Sequence, residues 1–153
     1  MTERTDAFDA PVLLCYDGSN DAARVVDAAS ALLTHRRAIV LTVAPTMTFA
    51  EGVAASSSLV PGTAFDDLNS AGALRLAGAG AGRARRAGLD AEARVTIAPT
   101  VWQGIVDVAD ELDAAVIVIG SRGRSGLREL AGGTVSHALA MHARRPVLIV
   151  PAA

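Results

Sequence analysis

The residues best suited to chemistry lie in one stretch, Gly120-Ser121-Arg122-Gly123-Arg124-Ser125-Gly126-Leu127-Arg128-Glu129-Leu130-Ala131-Gly132-Gly133-Thr134. It begins where the apolar run Val116-Ile117-Val118-Ile119 stops and ends where helical spacing resumes. Glycine lets the main chain come close to phosphate oxygens and turn successive N–H groups toward them. Gly133 and Thr134 would open a helix whose unpaired amides and positive dipole end favour an anion. The hydroxyls of Thr134 and Ser136 add side-chain donors. The chemistry indicated is phosphate binding. A glycine-rich chain makes loops in any case, but the placement between strand and helix favours the phosphate reading. No Gly-Lys-Ser/Thr occurs, so this is not a Walker A loop, and a dinucleotide fingerprint would follow the first strand instead.

Other candidates are weaker. Arg122, Arg124 and Arg128 either add charge for a triphosphate or face solvent. Catalysed hydrolysis would need a group to position water and usually a metal ligand; the available groups are Asp17, Asp107 and His137. Asp107 and Asp110 read as the wet face of a helix. His137 and His142 do not share a face as ligands four apart would. No Ser-His-Asp or Cys-His set is evident. The residues point to binding with slow hydrolysis at most, so no catalytic residue and no metal ligand is assigned. No carboxylate is convincingly placed beside the phosphates, which leaves both a metal-free and a Mg²⁺-assisted site open. Ser56 to Ser58 belong to a low-complexity loop, a simpler account than phosphoacceptors.

The elements that must position this segment follow from hydrophobic patterning. Short apolar runs occur at Pro11–Tyr16, ended by the turn Asp17-Gly18, at Ala38–Val43, stopped by Pro45, at Val116–Ile119, and at Pro146–Val150. Ala91–Ala98 is a weaker, alternating run. Continuous hydrophobicity is the mark of parallel strands covered on both faces. Helical spacing is found over Asp21–Thr34, with Ser19 or Asn20 as N-cap, over Thr100–Leu112, and over Thr134–Ala143. Phe65–Ala87 reads as a helix weakened by Gly72, Gly78, Gly80 and Gly82. Strands alternating with helices predict an open, doubly wound α/β sheet, because crossovers are right-handed. Residues 45–64 show no period and are expected to form a lid or an unstructured loop.

A chain of 153 residues is expected to form one domain. Aromatic residues make up 3% and the formal charge is −2, so the core is aliphatic and no global basic field draws nucleic acid or anionic membranes. Arg83, Arg85 and Arg86 read as a solvated helix face. Cys15 is the single cysteine and sits in an apolar run, which suggests a buried thiol and a reducing compartment. With no basic, hydrophobic leader and no run long enough to span a bilayer, a cytoplasmic location is expected.

The spacing Gly120-x2-Gly123-x9-Gly133-Thr134 resembles the nucleotide motif of the universal stress protein family. Tyr16-Asp17-Gly18-Ser19 after the first strand and the closing His142-Ala143-Arg144-Arg145-Pro146-Val147-Leu148-Ile149-Val150 support the likeness, which runs from about Pro11 to Pro151. The resemblance implies a Rossmann-like five-stranded parallel sheet of order 3-2-1-4-5, and a ligand that is ATP, ADP or AMP. It places Asp17 at the nucleoside end of the cleft. A carboxylate there can accept from ribose hydroxyls or an exocyclic amine, or serve only as a turn or cap acid. Val43 would contact adenine through its side chain and main chain, and Ile119 and Gly120 would line the ribose. Gly123, Arg124, Gly133, Thr134, Val135 and Ser136 would hold phosphates. The terminal strand would be an apolar sheet edge, and the family commonly dimerises by pairing it with its symmetry mate through Val147, Leu148, Ile149 and Val150. The implied role is a nucleotide-dependent regulator or chaperone-like module. A slow hydrolase and a nucleotide-free dimerisation module are the alternatives; a flavin carrier is disfavoured by the scarcity of aromatic rings. Two departures stand out: Thr42 where many relatives carry histidine, and Ala115 in place of a common acidic residue.

Overall fold

Alternate residues of the central strands enter two different cores, and this alternation sets the layers of the molecule. The computed structural model describes residues 9–33, 36–46, 62–121 and 135–152. In β1 (Val12–Cys15), Val12 and Leu14 join one buried cluster while Leu13 and Cys15 join the other. The same parity holds in β2 (Arg37–Pro45), where Ala38 and Val40 oppose Ile39 and Leu41. It holds again in β4 (Val116–Gly120), where Val118 opposes Ile117 and Ile119. Period-two exposure to two apolar layers is why these runs carry no polar alternation.

Helices α1 (Asn20–Leu32) and α2 (Gly62–Arg86) cover the first face through Val25, Val26, Ala29, Ala81 and Ala84. Helices α3 (Val101–Glu111) and α4 (Val135–His142) cover the second through Ile105, Val108, Ala109 and Leu139. β3 (Asp90–Ala98) and β5 (Val147–Val150) complete an all-parallel sheet of order β3-β2-β1-β4-β5. The expected fold class and strand order are thus observed. Two helices per face follow from right-handed crossovers that first move outward to β3 and then return past β1 to β4.

Caps set the helix starts. The Ala22 N–H donates to Ser19 Oγ at 3.1 Å, making Ser19 rather than Asn20 the N-cap of α1, and Gln103 N–H donates to Thr100 Oγ1 at the start of α3. Two boundaries differ from expectation. β2 runs through Pro45, pairing with Ala98, instead of stopping before it. α2 begins at Gly62 rather than Phe65, and residues 47–61 of the expected loop lie outside the described residues. The glycines of α2 also have a use: a Cβ on Gly80 would stand 2.8 Å from Tyr16 Cγ and 2.8 Å from Val40 Cγ1, so this helix lies closer to the sheet than any side chain permits.

Candidate functional site

β1 leaves the sheet toward α1 and β2 on one side, while β4 leads to α4 and β5 on the other. The carboxyl ends of β1 and β4 therefore flank the point where the order of winding reverses, the place where open α/β sheets hold ligands.

The register carries the expected residues to that place. Cys15 pairs with Leu41 and Leu14 with Val118, so Asp17 lies level with Val43, just beyond the last pairs of β1. Cys15, Leu41 and Ile119 belong to the cluster under α3 and α4, and Val43 and Val135 pack against it. Val43, Ile119 and Val135 thus share one face of the sheet at its carboxyl edge, and Asp17 stands in the turn that follows β1 at the same level. Gly120 ends β4, paired with Val150. Ser136, the second residue of α4, is buried.

Main-chain directions at Val43 follow from two hydrogen bonds. Tyr16 N–H donates to Leu41 C=O at 2.9 Å, which turns the peptide groups of odd-numbered β2 residues toward β1. Thr46 N–H donates to Ala98 C=O at 2.9 Å, which turns even-numbered ones toward β3. The Val43 N–H and C=O therefore face the β1 side, at a level where β1 has ended. A donor and an acceptor side by side at a strand end match the edge of a base.

Asp17 has a structural duty as well. Its Oδ1 accepts the Ser19 N–H at 2.9 Å, closing the turn in which Gly18 adopts φ +80°. Gly18 is also hemmed in by α2, since a Cβ there would meet Leu76 Cδ2 at 2.7 Å. Behind this turn the Cys15 thiol is pushed up to about 12, first by burial and then by the negative charge of Asp17.

Gly123, Arg124, Gly133 and Thr134, together with Arg122 and Arg128, lie outside the described residues. Ser121 is tied elsewhere: its N–H donates to Val150 C=O and its Oγ accepts Ala152 N–H, which prolongs the β4–β5 pairing. Asp107 is exposed on α3, and Asp110 and Asp113 pair with Arg145. His142 stacks on Trp102 with ring centroids 4.9 Å apart. Arg83 pairs with Asp27, and Arg85 donates to Ala91 C=O, so those cations staple α2 to its neighbours. Among the described residues no three His, Cys, Asp or Glu side chains are grouped to hold a metal ion.

One contact escaped sequence reasoning. The Thr42 hydroxyl donates to Tyr16 C=O at 2.7 Å, on the α1/α2 face and behind the convergent residues. A buried hydroxyl within an aliphatic strand was the available signal, because such a group demands a partner.

Comparison with known proteins decides the family. The sequence matches the model of the universal stress protein family over residues 10–151. The chain belongs to this family. None of the curated proteins matches it. Among solved structures, a family protein from Burkholderia pseudomallei is similar at 24% identity and TM-score 0.69, with 95% of this chain and 98% of that one covered. A universal stress protein in complex with cAMP is similar at 25% identity and TM-score 0.62, covering 92% of this chain and 95% of the other. The universal stress protein of Archaeoglobus fulgidus in complex with dAMP is similar at 21% identity and TM-score 0.61, covering 93% and 98%. No helix of the described residues is long and apolar enough to cross a membrane.

Proposed function

We propose that this chain binds an adenine nucleotide, ATP or its products ADP and AMP, and acts in the cytoplasm as a dimeric, nucleotide-dependent regulator or chaperone-like module of a stress response. The observation that carries the reading is the convergence of Asp17, Val43, Ile119 and Val135 at the carboxyl edge of β1, β2 and β4, beside the start of the Gly120-x2-Gly123-x9-Gly133-Thr134 segment. The donor set suits the ligand. Val43 offers an N–H and a C=O to the base, Val43 and Ile119 give apolar walls, and Asp17 can accept from the ribose. Gly123, Gly133, Thr134, Val135 and Ser136, with Arg124, would hold the phosphates through amides, hydroxyls and charge at the start of α4. The cAMP complex of a family relative supports an adenine nucleotide as the ligand class.

In this reading hydrolysis is at most slow, with no residue given a catalytic role and no protein ligand given to Mg²⁺. The dimer would form through Val147, Leu148, Ile149 and Val150, whose strand is paired on one side only.

Calorimetric titration with ATP, ADP and AMP, each with and without Mg²⁺, tests the reading. Binding in the micromolar range that Gly133→Val abolishes without dissociating the dimer is the expected result. Absence of binding at millimolar nucleotide would overturn it.

A further inference from the structure

The parallel ladder between β1 and β2 stops one step short of where the strands would allow. Its last pair is Cys15 with Leu41, and Tyr16 N–H still donates to Leu41 C=O. The next rung of a parallel ladder would take the Val43 N–H into the Tyr16 carbonyl. That rung is replaced. The Tyr16 carbonyl instead accepts the Thr42 hydroxyl at 2.7 Å, and Thr42 is 5% exposed.

This substitution of a side-chain donor for a main-chain donor has two consequences. It satisfies the part-buried Tyr16 carbonyl, and it keeps the Val43 amide directed into the gap above β1 rather than drawn into the ladder. It also fixes the peptide that joins Tyr16 to Asp17 against the peptide that joins Thr42 to Val43. The two groups expected to read base and ribose are therefore held in register by one hydroxyl lying on the opposite face of the sheet, where it touches no ligand.

We propose that Thr42 is the positioning residue that sets base recognition, keeping the Val43 N–H and C=O presented as a donor–acceptor pair matched to the adenine edge. The proposal rests on the nucleotide-binding reading above. Adenine offers a ring-nitrogen acceptor beside an exocyclic amine donor, so a main-chain N–H and C=O pair with it. Hypoxanthine presents a ring N–H and a carbonyl in those places, the reverse pattern, which leaves both protein groups mismatched. When the Thr42 hydroxyl is removed, the Tyr16 carbonyl loses its side-chain donor and is left to draw in the Val43 N–H, the donor of the next rung. The ladder then gains a rung, and adenine loses its donor.

The test compares the full chain with Thr42→Val, Thr42→Ala and Thr42→Ser, titrated calorimetrically with ATP, with ITP and with inorganic tripolyphosphate, each protein first checked by its thermal melt. The expected result is that the native chain and Thr42→Ser prefer ATP over ITP by about tenfold or more. Thr42→Val and Thr42→Ala are expected to lose most of that preference, while tripolyphosphate binds all four alike. A valine or alanine variant that keeps the ATP preference overturns the proposal. So does a loss spread equally over ATP, ITP and tripolyphosphate, which marks a general structural role. If one of the two variants fails to fold, the other decides. A native chain that binds tripolyphosphate but not ATP in preference to ITP overturns the proposal and leaves phosphate binding standing. A native chain that binds none of the three overturns the nucleotide reading itself.

Discussion

Gly104 of α3 lies against Val43 of β2 so closely that a Cβ built on it would stand 2.8 Å from Val43 Cγ1, 3.0 Å from Ala98 Cβ and 3.1 Å from Thr96 Cγ2. Three side chains of the two strands thus meet helix backbone directly, and none of the clashing atoms is the end of a long flexible chain. Gly104→Ala adds helix propensity, worth up to about 1 kcal/mol, but it must push α3 off the sheet, an overpacking cost of about 1–3 kcal/mol. The cost wins. Thermal unfolding is expected to show a net loss of about 1 kcal/mol, with weaker nucleotide binding because Val43 shifts. Gly78 of α2 has open space where a Cβ would be, so Gly78→Ala should gain about 0.5–1 kcal/mol. A Gly104→Ala protein melting at or above the native temperature would refute the close-packing argument.

The contrast between these two glycines marks the limit of what local sequence discloses. Strands β1, β2 and β4 were legible because continuous aliphatic runs have no other stable use than a doubly covered sheet. Their order was carried by the family resemblance, since pairing depends on contacts far apart in sequence. The glycines of α2 argued against a helix because local propensity cannot see Tyr16 and Val40 pressed against Gly80. Pro45 read as a strand stop because it lacks an N–H. Parity turns that position toward the side where β1 has already ended, so no ladder bond is lost. Val43 and Asp17 entered as site candidates through the family resemblance, to which the place of Asp17 after an apolar run lent support. The contact of Thr42 was not legible, because its partner is a carbonyl 26 residues away.

The Cys15 thiol gives the chain an alkaline limit. Burial, with the charge of Asp17 added, raises its pKa from 9.0 to about 12. The unfolded thiol ionises near its ordinary value, so the protonated folded form is favoured. This stability is fully present below pH 9.0 and is lost as pH rises toward about 12. At 1.36 kcal/mol per unit the loss is on the order of 2 kcal/mol by about pH 10.5. Urea unfolding midpoints compared between about pH 7.5 and about pH 10.5 should fall less in Cys15→Ala than in the native chain. The native thiol should resist iodoacetamide at about pH 8 until urea unfolds it; rapid modification of the folded protein would contradict the burial argument.

Asp17 serves a turn and, in the proposal, a ribose, and two substitutions separate these duties. Asp17→Asn keeps an oxygen to accept the Ser19 N–H, whereas Asp17→Ala removes it. The alanine variant should lose about 1 kcal/mol of stability, while the asparagine variant should melt within a few tenths of the native value. Both should weaken ATP and AMP binding but leave tripolyphosphate affinity unchanged. If the asparagine variant binds AMP as the native chain does, the carboxylate's charge is irrelevant to the nucleoside.

The two edges of the sheet differ in a way that favours β5 over β3 for the proposed dimer contact. β3 carries Asp90, Glu92 and Arg94 along its length, with Glu92 paired to Arg37 and Arg94 to Glu111. Charges on an edge strand oppose its pairing with another chain. β5 has none between Val147 and Val150, and Ile149 is 41% exposed. Antiparallel addition of a second β5 would satisfy the open main-chain groups of this edge and remove Ile149 from water, whereas a lysine there would have to be desolvated at the contact. Ile149→Lys is therefore expected to reduce the mass seen by light scattering at micromolar concentration from twice 15.6 kDa to the single chain. ATP affinity should persist, since Ile149 is not among the residues proposed to touch the nucleotide. Ile97→Lys, at an equally exposed apolar residue of β3 (47%), should leave the dimer intact. Dissociation by Ile97→Lys but not by Ile149→Lys would move the interface to the charged edge and defeat the assignment.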